Sequence, residues 1–112
     1  MVNDEYLKEE GLNDTFFNYI LKNRNINSTI SKSTFIGNYL DVIGIELELF
    51  SNIKVVIFIH QLESHYFLNE KYKIELLKEI FGVGECILIT LKFKDILKIK
   101  RDILISNILN NE

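Results

Sequence analysis

The sequence predicts an α+β domain: a three- to four-stranded, mainly antiparallel sheet with helices packed on one face, in the order helix, helix, strand, strand, helix, strand, helix. Three observations carry this. Apolar residues recur at helical spacing in separate stretches, they alternate at period two over positions 43–49, and Asn, Ser and Gly punctuate the changes of pattern.

The first helix is predicted over Asp4–Glu10, with Asn3 or Asp4 as N-cap and Gly11 at the position after its end. A second starts at Asn13 or Asp14, where Phe16, Phe17, Ile20 and Leu21 form one stripe and Lys22 and Arg24 complement the dipole. Asn25–Ser33 is polar and reads as a loop. From Phe35 the pattern changes, and Ile43, Ile45, Leu47 and Leu49 alternate with Gly44, Glu46 and Glu48, which is a strand with one apolar face. Gly37 or Gly44 is expected to mark a bend or bulge.

The next strand runs from Ile53 to His60. A three-residue loop of Ser51, Asn52 and Ile53 pairs Leu49 with Val55, Leu47 with Ile57 and Ile45 with Ile59, whereas a two-residue loop would mix polar and apolar side chains on both faces. The opposite face then carries Glu46 and Glu48 beside Val56 and Phe58. Asn69 is a good N-cap for a helix over Glu70–Phe81, with Ile74, Leu77, Ile80 and Phe81 inward and Gly82 ending it. Glu85–Phe93 is apolar on both faces and is expected in the middle of the sheet. Asp95 caps a last helix whose stripe includes Ile96, Ile99, Ile103, Leu104 and Ile108.

A chain of 112 residues suits one domain spanning 1–112, large enough to bury a core without disulfide or metal staples. With 47% hydrophobic residues, including eight Phe and five Tyr, global disorder is set aside. The 18 Ile, 15 Leu, 12 Asn and 11 Lys against two Arg and no Ala, Pro or Trp look like the codon bias of an AT-rich gene, which accounts for the lysines without invoking nucleic acid. Cys86 is the single cysteine, so an internal disulfide is excluded and a cytoplasmic location is expected. Its neighbours Ile87, Leu88 and Ile89 predict a structural thiol that is a poor nucleophile. The acidic first ten residues are the opposite of a secretory n-region. The apolar run Val55–Ile59 is far short of the roughly 20 residues a membrane helix needs, so no membrane partner is expected.

Three groupings could carry chemistry. His60, Glu63 and His65 form the densest set of acid, base or ligand groups, but the histidines are five apart, where the zinc-hydrolase helix needs four. They would serve a small metal-independent nuclease or hydrolase by acid and base catalysis, with Lys71 or Lys73 stabilising charge. Glu46 and Glu48, with Asp41 upstream and Lys54 beyond the turn, are the residue types that metal-dependent nucleases use. The lysine is in the wrong place for that chemistry, and two solvated strand glutamates that guard a sheet surface are the plainer account. Gly82 and Gly84 follow a helix, so they cannot cradle a phosphate at a helix N-terminus. No cofactor, metal or catalytic residue is assigned.

Charge is unevenly placed. Residues 1–70 hold ten acids against five bases, a balance of −5, and residues 71–112 hold six acids against eight bases, a balance of +2. Lys92, Lys94, Lys98, Lys100 and Arg101 would suit a nucleic-acid-binding regulator acting through the last helix, but the whole chain carries −3 and no stacking aromatics are interleaved there. A small, acidic, single-domain chain free of active-site motifs resembles, in general profile, bacterial immunity and antitoxin proteins. The resemblance implies a non-enzymatic binding module that masks a basic protein, such as a nuclease toxin, with Asp41, Glu46, Glu48 and Glu63 making the contact. Homodimerisation through an apolar strip of Val56 and Phe58 on the open sheet face is compatible with each reading.

Overall fold

The computed structural model describes residues 4–9, 11–39, 42–60 and 70–110. Its elements are α1 (Asp4–Glu9), α2 (Asp14–Asn23), β1 (Ile30–Tyr39), β2 (Val42–Leu49), β3 (Lys54–His60), α3 (Glu70–Phe81), β4 (Ile87–Lys92) and α4 (Phe93–Asn110). They form the α+β class read from the sequence, and the four helices with β2, β3 and β4 follow the order read there, with β1 added before the hairpin. The sheet has four strands in the order β1-β2-β3-β4. β1 and β2 pair antiparallel, as do β2 and β3, while β3 and β4 run parallel.

Both faces of the sheet centre are buried. On one, Ile43, Ile45, Leu47 and Leu49 of β2 join Val55, Ile57 and Ile59 of β3 and Ile89 and Leu91 of β4. Leu7 of α1, Phe16, Phe17, Ile20 and Leu21 of α2 and Ile96 of α4 close over them. Phe16 and Phe17 meet edge to face at 5.6 Å, and the Tyr19 hydroxyl donates to Asp102 Oδ2 at 3.4 Å, tying α2 to α4. On the other face Val42, Val56 and Phe58 lie under Leu77 of α3, with Phe81, Val83, Cys86 and Leu88 around them.

The helices, expected on one face, therefore divide across two, and of the described helices α3 takes the second. The parallel step from β3 to β4 requires a connection that returns the chain to the start of the sheet, and a helix in that connection packs on a face. Val56 and Phe58 are fully buried by it, so the apolar strip expected to serve a homodimer is not on the surface.

Phe81 locks this helix down. Gly37 and Gly44 are paired across β1 and β2, and a Cβ on Gly37 would sit 2.8 Å from Phe81 Cε1. On Gly44 it would meet Ile36 Cγ1 at 2.9 Å and Phe81 Cδ2 at 3.4 Å. Two missing side chains thus leave a slot for one aromatic ring, which also packs on Phe58 with centroids 5.5 Å apart. The bend expected at these glycines is present as a register shift between Phe35 and Gly37. Ile80, expected inward beside Phe81, is 40% exposed, because the ring in the slot sets the rotation of the last turn.

Other differences have local causes. β1 begins at Ile30, inside the stretch read as a loop, because the Phe50 amide donates to Thr29 O and Ser31 Oγ to Glu48 O, so its polar residues are held by β2 and the hairpin. Four residues, Phe50 to Ile53, separate β2 from β3 where three were expected, and the Leu49 amide donates to Ile53 O, which closes the turn around Phe50, Ser51 and Asn52. Asn52 takes φ 64°, and the Asn52 amide donates to Leu49 O, which is the tight turn followed by a left-handed residue that such hairpins favour. The register moves by two, preserving every face: Leu47 meets Val55, Ile45 meets Ile57 and Ile43 meets Ile59. β4 is an edge strand and not a central one. It is apolar on both sides because helices cover both. α4 starts at Phe93, and Asp95 sits inside its first turn, where Oδ2 accepts from the Lys92 amide at 2.9 Å.

Helix ends follow the sequence signals more closely. Asn13 Oδ1 accepts from the Phe16 amide at 3.1 Å as the N-cap of α2. At the end of α3, Gly82 has φ 67°, and the Val83 amide reaches Lys78 O at 2.8 Å, satisfying carbonyls that a helix end otherwise leaves open. Asn25, at φ 59°, does the same for α2, with the Ile26 amide donating to Leu21 O. Among the described residues no helix is long and apolar enough to cross a membrane.

The slot gives a stability test. Gly37→Ala should cost about 1–3 kcal/mol in urea unfolding through overpacking. In a Phe81→Leu background it should cost clearly less, since the obstructing ring is gone. Equal costs in the two backgrounds would show that Phe81 does not occupy the slot.

Candidate functional site

The second sheet face is covered only in part, and its uncovered rim lies at the β2–β3 hairpin. β2 places Glu46 and Glu48 there, because both alternate with the core residues Ile45, Leu47 and Leu49. Across the strands Lys32 of β1, Glu48 of β2 and Lys54 of β3 stand in one row, and Thr34, Glu46 and Val56 in the next. Lys54 Nζ lies 3.4 Å from Glu46 Oε1. Glu48 is exposed and Glu46 half-buried.

The two glutamates therefore do share a surface, as the sequence indicated, but not an unopposed negative one. Lys32 and Lys54, in register on either side of Glu48, balance the pair. Sequence reading missed this because Lys32 lies in the stretch taken as a loop, while Lys54 faces Glu48 only in the register that the turn at Asn52 selects. Opposite charges directly across antiparallel strands stabilise a sheet by a few tenths of a kcal/mol to about 1 kcal/mol. Glu48 and Lys54 also border a shallow recess with Ser31 and Asn52.

Asp41, Glu63 and His65 lie outside the described residues. His60 ends β3, half-buried, in register with Val42 and Lys92. Among the described residues no three of His, Cys, Asp and Glu come together in a way that could hold a metal ion. A second, open groove runs between the α1–α2 junction and α4, lined by Gly11, Asn13, Thr15, Lys100 and Asn107.

Cys86, just before β4, is half-buried against the second core. Burial pushes its thiol up from the ordinary cysteine range; Lys78 opposes this, Glu46 adds to it, and Lys54 opposes it. The neutral thiol is the form that the fold favours. Because the folded-state value lies above the unfolded one, the associated stability is present at neutral pH and is lost as pH rises through the folded-state value.

No family model, no curated protein and no solved structure matches this chain.

Two outcomes follow from the electrostatics. Alkylation of Cys86 by iodoacetamide should be slower than that of a free thiol at neutral pH, with a pH midpoint above the ordinary cysteine value, and Lys78→Met should move it higher still. A midpoint below that value would contradict the burial described. A double-mutant cycle on Glu46 and Lys54 in thermal unfolding should give a coupling of no more than about 1 kcal/mol, falling with added salt.

Proposed function

We propose that this chain is a non-enzymatic protein-binding module of the immunity or antitoxin kind, which masks a basic partner such as a nuclease toxin through Asp41, Glu46, Glu48 and Glu63. One observation carries the reading. Glu48 is exposed on the rim of the second face, and the adjacent Glu46 pairs, among the described residues, with a solvent-accessible lysine at 3.4 Å.

Such a pair gains little in water, about 0–1 kcal/mol, so an incoming cation can take the place of Lys54 at small cost. An Arg or Lys brought in by a partner and shielded from solvent at the centre of an interface makes a stronger contact than the one it displaces. The rim is built from β-strands and flanked by the exposed Phe50 and Ile53 of the hairpin, which are 71% and 41% exposed. Carboxylates beside exposed apolar groups suit a protein surface, where charge selects the partner and apolar contact holds it. The acidic balance of residues 1–70 steers a basic partner toward this half of the chain.

Co-expression with a basic protein encoded beside it tests the reading. A stable complex should form, and reversing both charges (Glu46→Lys with Glu48→Lys) should weaken it by about two orders of magnitude or more, while the like charges this sets against Lys32 and Lys54 lower the melting temperature by only a few degrees and leave the chain folded. Lys54→Met should tighten it several-fold by freeing Glu46. Persistence of the complex with both charges reversed, or no complex with any such protein, would refute the assignment.

A further inference from the structure

The outward side of α4 carries the longest exposed apolar feature of the described residues. Ile96, Ile99 and Ile103 point to the core, as an amphipathic helix requires. Phe93, Leu97, Leu104 and Ile108 do not, and are 48%, 49%, 60% and 57% exposed. At 3.6 residues per turn these four fall within an arc of about 60°, roughly a third of a turn from the core-facing stripe. They run along about 22 Å of helix. Ile105 and Leu109, 48% and 65% exposed, extend the apolar surface round one flank of the last two turns.

The spacing of the stripe is symmetric. Phe93 and Leu97 at one end mirror Leu104 and Ile108 at the other about a midpoint between Lys100 and Arg101. An identical helix laid antiparallel therefore sets Phe93 against Ile108 and Leu97 against Leu104, twice over, which is the self-complementarity that a two-fold interface demands. Charge selects the same orientation. The exposed cations Lys94 and Lys98 lie in the first half of α4 and the apolar Ile105 and Leu109 in the second. Parallel pairing would turn this flank toward the partner's opposite one, which carries Lys100 and Asn107, and leave Ile105 and Leu109 beside polar groups. Antiparallel pairing lays the aliphatic stems of Lys94 and Lys98 over the partner's Ile105 and Leu109, with the ammonium groups in water. At the midpoint, Lys100 is drawn toward the α1–α2 junction, its Nζ 3.7 Å from where a Gly11 Cβ would stand, which leaves Arg101 beside its own copy.

We propose that this face of α4 is a homodimer interface: two copies of the chain pair their α4 helices antiparallel about a two-fold axis near Arg101, through Phe93, Leu97, Leu104 and Ile108. The area is sufficient. Six side chains, each between 48% and 65% exposed, present on the order of 500 Å² of apolar surface per copy. An interface about two-thirds apolar that uses it buries roughly 800 Å² per copy, the ordinary size for a specific pair. This surface lies on the opposite side of the sheet from the Glu48 rim, so dimerisation and partner binding do not compete.

Sedimentation of the full chain over a concentration series reaching about 1 mM tests it, with an expected dissociation constant in the micromolar range. Leu97→Asp and Leu104→Asp should each remain monomeric with a melting temperature close to that of the parent, both sites being exposed. Arg101→Leu should tighten the dimer several-fold, and so should raising salt from about 0.1 to 1 M, because each removes repulsion at the axis. In a Cys86→Ser background, a mixture of Leu97→Cys and Leu104→Cys chains should cross-link between the two variants, and neither variant should cross-link alone. A parent chain that stays monomeric throughout, self-cross-linking of Leu97→Cys, or an association weakened by salt and by Arg101→Leu would each overturn the proposal. The last result would point instead to a contact of opposite charges.

Discussion

The two central strands need cover on both faces, and the rest of the architecture answers that need. Val42–Leu49 and Val55–Ile59 are buried almost without interruption. Each large side chain moved from water to the interior contributes about 1.5–3 kcal/mol, so leaving either face open would forfeit a large part of the stability of a domain this size. One face is met by α1, α2 and α4. The other is met, among the described residues, by α3, which can reach it because β4 returns parallel to β3. The crossover, the parallel edge strand and the division of the helices are one solution to one constraint.

α3 covers only part of the second sheet face, and the proposed partner surface begins at the exposed rim. Phe81 fixes α3 over Gly37, Gly44 and Phe58, and the rim beyond carries Glu46, Glu48, Lys32 and Lys54. Charged residues are well placed on such an exposed piece of sheet, where they also hinder pairing with other strands. On the far side α4 extends past the core it packs on, and its last turns expose Leu104, Ile105, Ile108 and Leu109. The molecule thus offers two surfaces of different character, a mixed-charge strand rim and an apolar helical stripe, on opposite sides of one sheet.

Local signals in the sequence were legible wherever they act locally. The bounds of α3 and α2, the Asn13 cap, the turn at Gly82 and the faces of β2 and β3 follow from spacing and capping chemistry alone. Period two fixes which residues share a face but leaves the register free to move by two, so the hairpin was settled by the backbone of Asn52. Polar β1 was invisible because its hydrogen bonds go to β2 and the hairpin, and no pattern of its own marks it. The position of β4 at the edge was hidden for a related reason, since two-sided burial records helices above and below and not neighbouring strands. At the candidate site, Glu46 and Glu48 could be named from alternation. Their lysine neighbours could not, because Lys32 and Lys54 reach them through strand pairing alone. The surplus apolar residues of α4 were legible as a stripe, but Leu104 and Ile108 belong to its outward side and not to the core.

The division of the helices and the exposed rim both depend on α3 lying across the second face with the Phe81 ring seated over the paired glycines. Nuclear Overhauser contacts of the Phe81 ring protons measure this most directly. The structure predicts cross-peaks to the α-protons of both Gly37 and Gly44 and to the Phe58 ring, with the glycine resonances displaced by the ring current. Contacts from Phe81 to the α2 or α4 side of the sheet, or none to either glycine, would contradict it.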